Sequence, residues 1–294
     1  MLAYDVVADT KVDIDLGAIK NLWLEAFPED DEAAFDSYFQ GRLAGAKCFV
    51  YIHQHELASM AFSITSNMVG ISHCHSETVN FIVGVATEEK WRGRGLASVV
   101  LRKIAQQAQL CGCSCLLLST YIPQFYTKLG YREAAWHRLW RLRNSVAKCQ
   151  NSESVFACSE SDLAALATYY NKHKQCGWLE RSRDYWRWRF KDAGKIYGLK
   201  NYEGQISAYA IFNKGNECEE LLSDTSQGVA ELIKVANLIE PFEIGSAKLN
   251  DKLPQDTRFE EVGLGSCQMI LPLTERCRDE YSCGGVNLSC LDNW

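Results

Sequence analysis

The sequence predicts an α+β protein built from two units of similar architecture, and three observations lead to this expectation. The chain has 294 residues, more than a typical domain of about 100–200 residues requires. A succession of strand-like and helix-like segments runs through the first half and recurs about 150 residues later. The composition, 47% hydrophobic and 23% charged, is typical of a globular protein that buries a substantial core.

The first unit is predicted from hydrophobic periodicity. Ile19, Leu22, Trp23 and Phe27 share one face of a helix, whereas residues 78–86 are β-branched and apolar, as in a strand buried on both faces. In chain order we expect a strand at 4–7, helices at 16–27 and 35–43, a hairpin within 48–64, a strand at 78–86, a helix at 95–110, a strand at 114–119, a short helix at 124–129 and a strand at 134–142.

The second unit repeats this order, and its aromatic pair Tyr185-Trp186 stands where Tyr38-Phe39 stands in the first. We expect a strand at 154–157, helices at 162–172 and 183–190, a hairpin within 195–212, a short strand at 220–223, a helix at 228–238 and final strands at 242–249 and 267–271. The predicted domains are therefore 1–146 and 153–275, followed by a C-terminal tail at 276–294.

Charge and cysteine content exclude several classes of function. A formal charge of −6 argues against nucleic-acid binding, which needs a basic excess. No stretch reaches the roughly 18 apolar residues of a membrane span, and the N-terminus is not a signal peptide. Thirteen cysteines without a C-x-x-C pair favour core thiols in a reducing compartment over disulfides or metal sites. We therefore expect a cytoplasmic protein with no metal, no nucleic-acid partner and no membrane partner.

The most informative segment is a glycine- and arginine-rich turn between the strand at 78–86 and the following helix. Gly93 and Gly95 remove side chains where a pyrophosphate would approach the backbone, and Arg92 and Arg94 add positive charge. A helix that begins at such a turn aims its free N–H groups at an anion. The alternative interpretation is a glycine turn before a surface helix, with solvated arginines.

Two motifs resemble those of the GNAT superfamily, the acetyl-CoA-dependent N-acyltransferases. The turn, Arg92-Gly93-Arg94-Gly95-Leu96-Ala97, resembles the family's R/Q-x-x-G-x-G/A loop. Residues 125–131, Phe-Tyr-Thr-Lys-Leu-Gly-Tyr, resemble its F/L-Y-x-x-L-G-F/Y segment at the expected distance. The resemblance covers about residues 1–143. It implies two GNAT-like units, each a twisted mixed, mostly antiparallel sheet flanked by helices.

The resemblance also implies a binding mode for acetyl-CoA as co-substrate. The backbone near Val83 and Val85 on the fourth strand would hold the acetyl and pantetheine portions. The pyrophosphate would bind the Arg92 side chain and the loop backbone, that is Gly93, Arg94, Gly95, Leu96 and Ala97. Tyr126 matches the family position of the general acid that protonates the coenzyme A thiolate. The alternative for Tyr126 is an aromatic residue that only packs against the coenzyme.

The general base is less well defined by the sequence. Some relatives carry a glutamate early on the fourth strand, but the matching position here is Val79. Glu77, two residues earlier and facing the same way, is the predicted base, acting directly or through water. A glutamate at the surface end of a loop is the alternative interpretation. His73 and His75 are further candidates by chemistry alone, and the Trp294 carboxylate is another.

The second unit lacks both motifs, which predicts a degenerate GNAT-like unit that shapes the acceptor site or supports the first unit. Such tandem arrangements resemble the Eis-like and mycothiol synthase-like acetyltransferases. The arginine- and tryptophan-rich segment 181–190 resembles a Y-W-x-x-R element of the Eis-like group. We expect its aromatic side chains to pack between the units rather than to stack on nucleic-acid bases.

These observations together predict an N-acetyltransferase that moves an acetyl group to an amine by direct attack on the thioester. The acceptor would be a small-molecule or peptide amine. The alternative is a non-catalytic acyl-CoA-binding sensor or scaffold protein. The sequence leaves open the acceptor, the length of the acyl group and the oligomeric state.

Overall fold

The computed structural model describes residues 3–6, 15–70, 76–143, 154–174, 177–216, 218–236, 256 and 259–280. The strands are β1 Ala3–Val6, β2 Lys47–His53, β3 Glu56–Val69, β4 Ser76–Thr87, β5 Cys115–Thr120, β6 Arg132–Leu142, β7 Ser154–Ala157, β8 Lys195–Lys200, β9 Ile206–Phe212, β10 Cys218–Ser223 and β11 Phe259–Pro272. The helices are α1 Leu16–Ala26, α2 Glu32–Gly41, α3 Leu96–Leu110, α4 Pro123–Thr127, α5 Leu163–His173, α6 Arg183–Asp192, α7 Ser226–Ala236 and α8 Glu275–Glu280. Within these ranges, no helix combines the length and the apolar composition that crossing a membrane would require.

The larger sheet has seven strands in the order β1-β2-β3-β4-β5-β11-β6. Two pairs, β1 with β2 and β4 with β5, are parallel, and the others are antiparallel. Helices α1 and α2 cover one face through Ile19, Trp23 and Phe35, and α3 covers the other through Val100 and Ile104. The expected mixed, mostly antiparallel sheet flanked by helices is confirmed.

The helices α1 and α2 begin where the sequence supplies a cap. Asp15 accepts a hydrogen bond from the backbone N–H of Ala18 at 2.7 Å, and Asp31 accepts one from Ala34 at 2.7 Å. Each carboxylate satisfies one of the free N–H groups of the first turn and lies at the positive end of the helix. The predicted start of α1 at residue 16 is confirmed, whereas α2 begins at Glu32, three residues before the predicted start.

The smaller sheet is antiparallel, in the order β10-β9-β8-β7, and packs with α5, α6 and α7. Both units follow the order strand, two helices, three strands, helix, which is the repeated order of elements that the sequence predicts. The units differ at their first strands, because β1 runs parallel to β2 whereas β7 runs antiparallel to β8.

Strand β11 pairs with other strands than the sequence predicted. Residues 267–271 were expected to end the sheet of the second unit, but Phe259–Pro272 lies between β5 and β6 in the first sheet. Hydrophobic periodicity predicts that a segment is a buried strand. It does not predict which strands pair with it, because that pairing joins residues far apart in sequence. The predicted strand at 242–249 and the predicted linker at 147–153 lie outside the described residues. The domain bounds stay predictions.

The aromatic helix α6 packs against α2 of the first unit. A Cβ built on Gly41 would lie 1.6 Å from Cδ1 of Trp188, so the indole occupies the space that the glycine leaves. The Trp188 ring also meets the Tyr38 ring edge-on, with 6.2 Å between centroids. The Ser37 hydroxyl donates a 2.5 Å hydrogen bond to Asp192 at the end of α6. The expectation that this helix packs between the units is confirmed.

Candidate active site

Strands β4 and β5 separate along their length. They pair at two positions, Asn80 with Leu116 and Phe81 with Leu117, yet β4 continues to Thr87 and β5 continues beyond Leu117. Beyond these pairs the facing backbone edges no longer bond to each other. We call the resulting gap the β4–β5 opening. Backbone N–H and C=O groups along it are available to an extended ligand.

A bulge in β4 borders this opening. Met60 and Phe62 of β3 pair with Ala86 and Val83, so β4 carries one extra residue between the two pairs. Gly84 lies there with φ of +61°, a left-handed conformation that glycine adopts without strain. A Cβ on Gly84 would also lie 2.3 Å from Cζ3 of Trp23. Backbone conformation and packing therefore both require glycine at this position.

The glycine loop opens the N-terminus of α3. Gly93 and Gly95 have φ values of +77° and +78°, and a Cβ built on either would meet no described atom within 4 Å. Gly95 is the N-cap residue and contributes no side-chain hydrogen bond, so the free N–H groups at the start of the helix include those of Leu96 and Ala97. Because the positive end of a 15-residue helix faces open space here, the loop can hold an anion.

The two loop arginines have different partners. Nε of Arg92 donates to the Thr87 carbonyl oxygen at 2.9 Å, and its Nη2 lies 3.5 Å from Oε1 of Glu25. The Arg92 side chain, which is predicted to bind the pyrophosphate, is thus held beside the end of β4. Arg94 is exposed and lies over the Trp91 ring, 4.7 Å from its centroid.

Tyr126 lies on α4 and is only 7% exposed. Its ring meets those of Phe125 and Tyr131 edge-on, and it shares a hydrophobic cluster with Ile82 and with Val85 of the bulge. Burial raises the pKa of Tyr126 to about 12, so its hydroxyl is neutral at physiological pH. The fold therefore groups Tyr126, the bulge and the β4–β5 opening.

Glu77 lies elsewhere. It is buried on β4 opposite Met68 of β3, where the next residue, Thr78, accepts a 2.9 Å hydrogen bond from Ser114 and holds the two strands together. Val83 lies six positions further along β4, about 20 Å away on an extended strand. The structure thus does not bring Glu77 to the opening. His73, His75 and Trp294, the other candidates for the base, lie outside the described residues.

The neighbours of Glu77 are thiols. Burial, reinforced by Cys277 and by the Glu77 carboxylate, raises the pKa of the Cys115 thiol well above its usual range. Cys115 and Cys277 belong to the cluster under α1 and α2, on the sheet face opposite Tyr126. In the described part of the chain, no group of three or more His, Cys, Asp or Glu side chains is arranged to hold a metal ion.

Sequence reasoning missed three residues at this site. Gly84 had a signal, because a glycine inside an apolar β-branched strand indicates a bulge. Trp23 was predicted as a core residue of α1, but its contact with Gly84 joins elements 61 residues apart in sequence. No sequence pattern predicted a role for Glu25, because its hydrogen bond from the Glu89 backbone also joins residues far apart in sequence.

The corresponding place in the second unit is filled by the chain itself. The Thr225 hydroxyl accepts a 3.0 Å hydrogen bond from the backbone N–H of Gly228 at the start of α7, and the Thr225 N–H donates to the Ser223 hydroxyl. A Cβ on Gly228 would lie 2.5 Å from that same hydroxyl oxygen. A side chain therefore caps α7, whereas α3 has no side-chain cap at its N-terminus.

Comparison with known proteins agrees with this geometry. Residues 16–131 match the family model described as acetyltransferase (GNAT) family. None of the curated proteins matches the chain significantly in sequence.

Solved structures match over most of the chain at low identity. A probable N-acyltransferase from Enterococcus faecalis, described as a conserved protein of unknown function, has a TM-score of 0.70 at 13% identity, over 89% of this chain and 71% of that one. A GCN5-related N-acetyltransferase from Anabaena variabilis has a TM-score of 0.67 at 13% identity, over 90% and 72%. Eis1 from Mycobacterium abscessus has a TM-score of 0.57 at 15% identity, over 82% and 71%. At these identities the likeness concerns the fold. Residues 16–131, which carry both motifs and the opened strand pair, match the model of the GNAT acetyltransferase family, so this part of the chain is similar to those enzymes.

Proposed function

We propose that the chain transfers an acetyl group from acetyl-CoA to an amine by direct attack of the amine on the thioester. One observation carries the proposal: the β4–β5 opening runs from a bulged strand toward an uncapped helix N-terminus, with a buried neutral tyrosine beside the bulge. This arrangement suits a long ligand with an anionic end and a reactive end.

The residues present fit acetyl-CoA. The open space at Gly93 and Gly95 and the free N–H groups of Leu96 and Ala97 suit a pyrophosphate, with Arg94 adding charge. The backbone of Val83 and of Val85 at the bulge suits the acyl and pantetheine portions, whose amides need hydrogen-bond partners. Arg92 is paired with Glu25 here, so a phosphate would compete with that carboxylate for the guanidinium.

Acetyl transfer to an amine has three requirements. The bulge backbone must polarise the thioester carbonyl, the amine must attack as a neutral nucleophile, and the leaving thiolate must gain a proton. A carbon–nitrogen bond forms as the carbon–sulfur bond breaks, and the amine loses one proton. Tyr126 donates its hydroxyl proton to the sulfur, and the proton that the amine loses restores the Tyr126 hydroxyl, so that one proton passes from nitrogen to sulfur overall. Its pKa of about 12 keeps that proton in place until the thiolate develops.

The predicted base, Glu77, receives no direct step in this mechanism. Because β4 and β5 are closed together around Glu77, an amine at the opening reaches its carboxylate only through intervening groups. The role of Glu77 thus stays a prediction.

The acceptor is proposed to be a small-molecule or peptide amine. The Anabaena variabilis neighbour, described as an N-acetyltransferase, supports an amine acceptor. We propose a cytoplasmic location, since all eight described cysteines are free thiols. The second unit, whose chain supplies β11 to the first sheet, is proposed to support the acyltransferase unit and to border the acceptor.

The test is a panel of amine acceptors, with coenzyme A release as the readout and acetyl-CoA binding measured separately by calorimetry. We expect binding of acetyl-CoA and turnover with at least one amine. Binding without turnover across a broad panel would favour the sensor alternative. No binding of acetyl-CoA would reject the proposal.

A further inference from the structure

The indole of Trp23 forms a wall on one side of the bulge. A Cβ on Gly84 would lie 2.3 Å from Cζ3 and 3.0 Å from Cε3 of Trp23, so the six-membered ring lies directly against the glycine. Phe62 completes the wall, with its Cδ2 3.1 Å from the same position. Trp23 is only 6% exposed. The side of the bulge that faces α1 is therefore closed by aromatic carbon.

The wall is fixed in position. The Trp23 Nε1–H donates a 2.7 Å hydrogen bond to Oδ2 of Asp30. The ring also meets Phe27, Phe35 and Phe62, with centroids 4.9, 5.6 and 5.9 Å away. Swinging the indole aside would break these contacts together, so the wall resists displacement by a ligand.

The other side of the bulge is also filled. Val85 packs there with Tyr126 and Ile82, in the cluster that lies beneath α3. A group held by the backbone of Val83 to Val85 is thus bounded by Trp23 on one face and by this cluster on the other. The backbone of the bulge therefore has aromatic carbon on one face and apolar side chains on the other.

We propose that Trp23 restricts the acyl group accepted by this chain to two or three carbons. The proposal rests on the proposed function, because it concerns the acyl end of acyl-CoA at the bulge. The carbonyl group is held by backbone, and each added methylene must displace aromatic carbon. One surplus methylene in an apolar pocket typically costs about 10- to 200-fold in discrimination.

The experiment measures equilibrium binding of coenzyme A, acetyl-CoA and butyryl-CoA by calorimetry, which needs no acceptor. Wild-type protein should bind acetyl-CoA at least about tenfold more tightly than butyryl-CoA. Trp23→Leu, which removes the ring on Gly84, should bring that ratio close to one by strengthening butyryl-CoA binding. Phe39→Leu is the matched control, because Phe39 stacks on Phe35 in the same core and should keep the wild-type ratio.

Trp23→Phe is the second variant, since it retains an aromatic core residue should Trp23→Leu fail to fold. Thermal unfolding by circular dichroism establishes which variants are folded. The proposal is overturned if wild type binds butyryl-CoA as tightly as acetyl-CoA, or if folded variants keep the wild-type ratio. In both cases acyl-CoA still binds and the proposed function survives. If wild type binds none of the three ligands, the proposed function fails and this inference fails with it.

Discussion

Oε1 of Glu25, at the end of α1, lies 3.5 Å from Nη2 of Arg92 and accepts a 2.9 Å hydrogen bond from the backbone N–H of Glu89. One carboxylate thus joins α1 to the loop that precedes α3. Because both side chains are more than a third exposed, the ion pair itself is weak, worth about 0.2–1 kcal/mol. A phosphate would therefore compete with Glu25 for Arg92.

Glu25→Gln should strengthen coenzyme A binding. The amide keeps an acceptor for Glu89 but no longer neutralises Arg92, so we expect an affinity gain of about two- to fivefold at low salt, shrinking as salt is added. Calorimetry across a salt series measures it. Glu32→Gln is the matched control. Glu32 lies on α2 and forms an exposed ion pair with Lys20, so its loss should leave coenzyme A binding unchanged. Weaker binding of Glu25→Gln would mean that its carboxylate organises the loop rather than competing with the ligand.

Tyr126→Phe should abolish most turnover while leaving acetyl-CoA binding intact. The substitution removes the proposed proton donor but keeps the ring that packs on Phe125 and Tyr131. We expect kcat to fall about 10²- to 10⁴-fold, with the dissociation constant of acetyl-CoA changed less than twofold. Steady-state kinetics and calorimetry measure the two quantities. Unchanged kcat would remove Tyr126 from the mechanism.

The same tyrosine should make the protein less stable in alkali. Below pH 10 Tyr126 is protonated in both the folded and the unfolded chain. Between pH 10 and 12 the unfolded tyrosine ionises while burial keeps Tyr126 neutral, so the free energy of unfolding falls by up to about 3 kcal/mol. Tyr126→Phe should remove this part of the pH dependence in urea titrations at pH 9 and 11. Tyr202→Phe, at a 95% exposed site, should not.

Gly41→Ala should destabilise the contact between the units. The new methyl group would meet the Trp188 indole at a non-bonded distance too short to tolerate, so we expect a loss of about 1–3 kcal/mol in the free energy of unfolding. Chemical denaturation measures it. Gly263→Ala, on β11, is the control, because no described atom lies within 4 Å of the added carbon, and its effect should stay within about 0.5 kcal/mol. A neutral Gly41→Ala would contradict the packing of α6 on α2.

Glu77→Gln tests the base that the sequence predicts. From the distance along β4 we expect kcat to change less than about threefold, with the larger effect on thermal stability. A proton acceptor would instead show a drop of about 10²-fold or more and the loss of the acidic limb of the pH–rate profile. Val79→Ala, on the same face of β4, serves as the packing control.

The prediction of local elements from the sequence was close because the information is local. The apolar face formed by Ile19, Leu22 and Trp23 and the paired glycines of the loop each depend on residues only a few positions apart. The partner of β11 was not predictable, because its register against Thr120 and Leu142 involves residues far apart in sequence.

By itself the sequence determined the α+β class, the repeated order of elements and the glycine loop at Gly93 and Gly95, since periodicity and glycine conformation are short-range properties. Only the tertiary structure decided that the second half completes the first sheet, that Glu77 lies away from the opening and that Trp23 covers Gly84. These are contacts between distant segments, and they form when side chains pack to crystal-like density from several elements at once. The conformation of the glycine loop can thus be predicted from six consecutive residues, whereas the shape of the β4–β5 opening depends on the whole first unit.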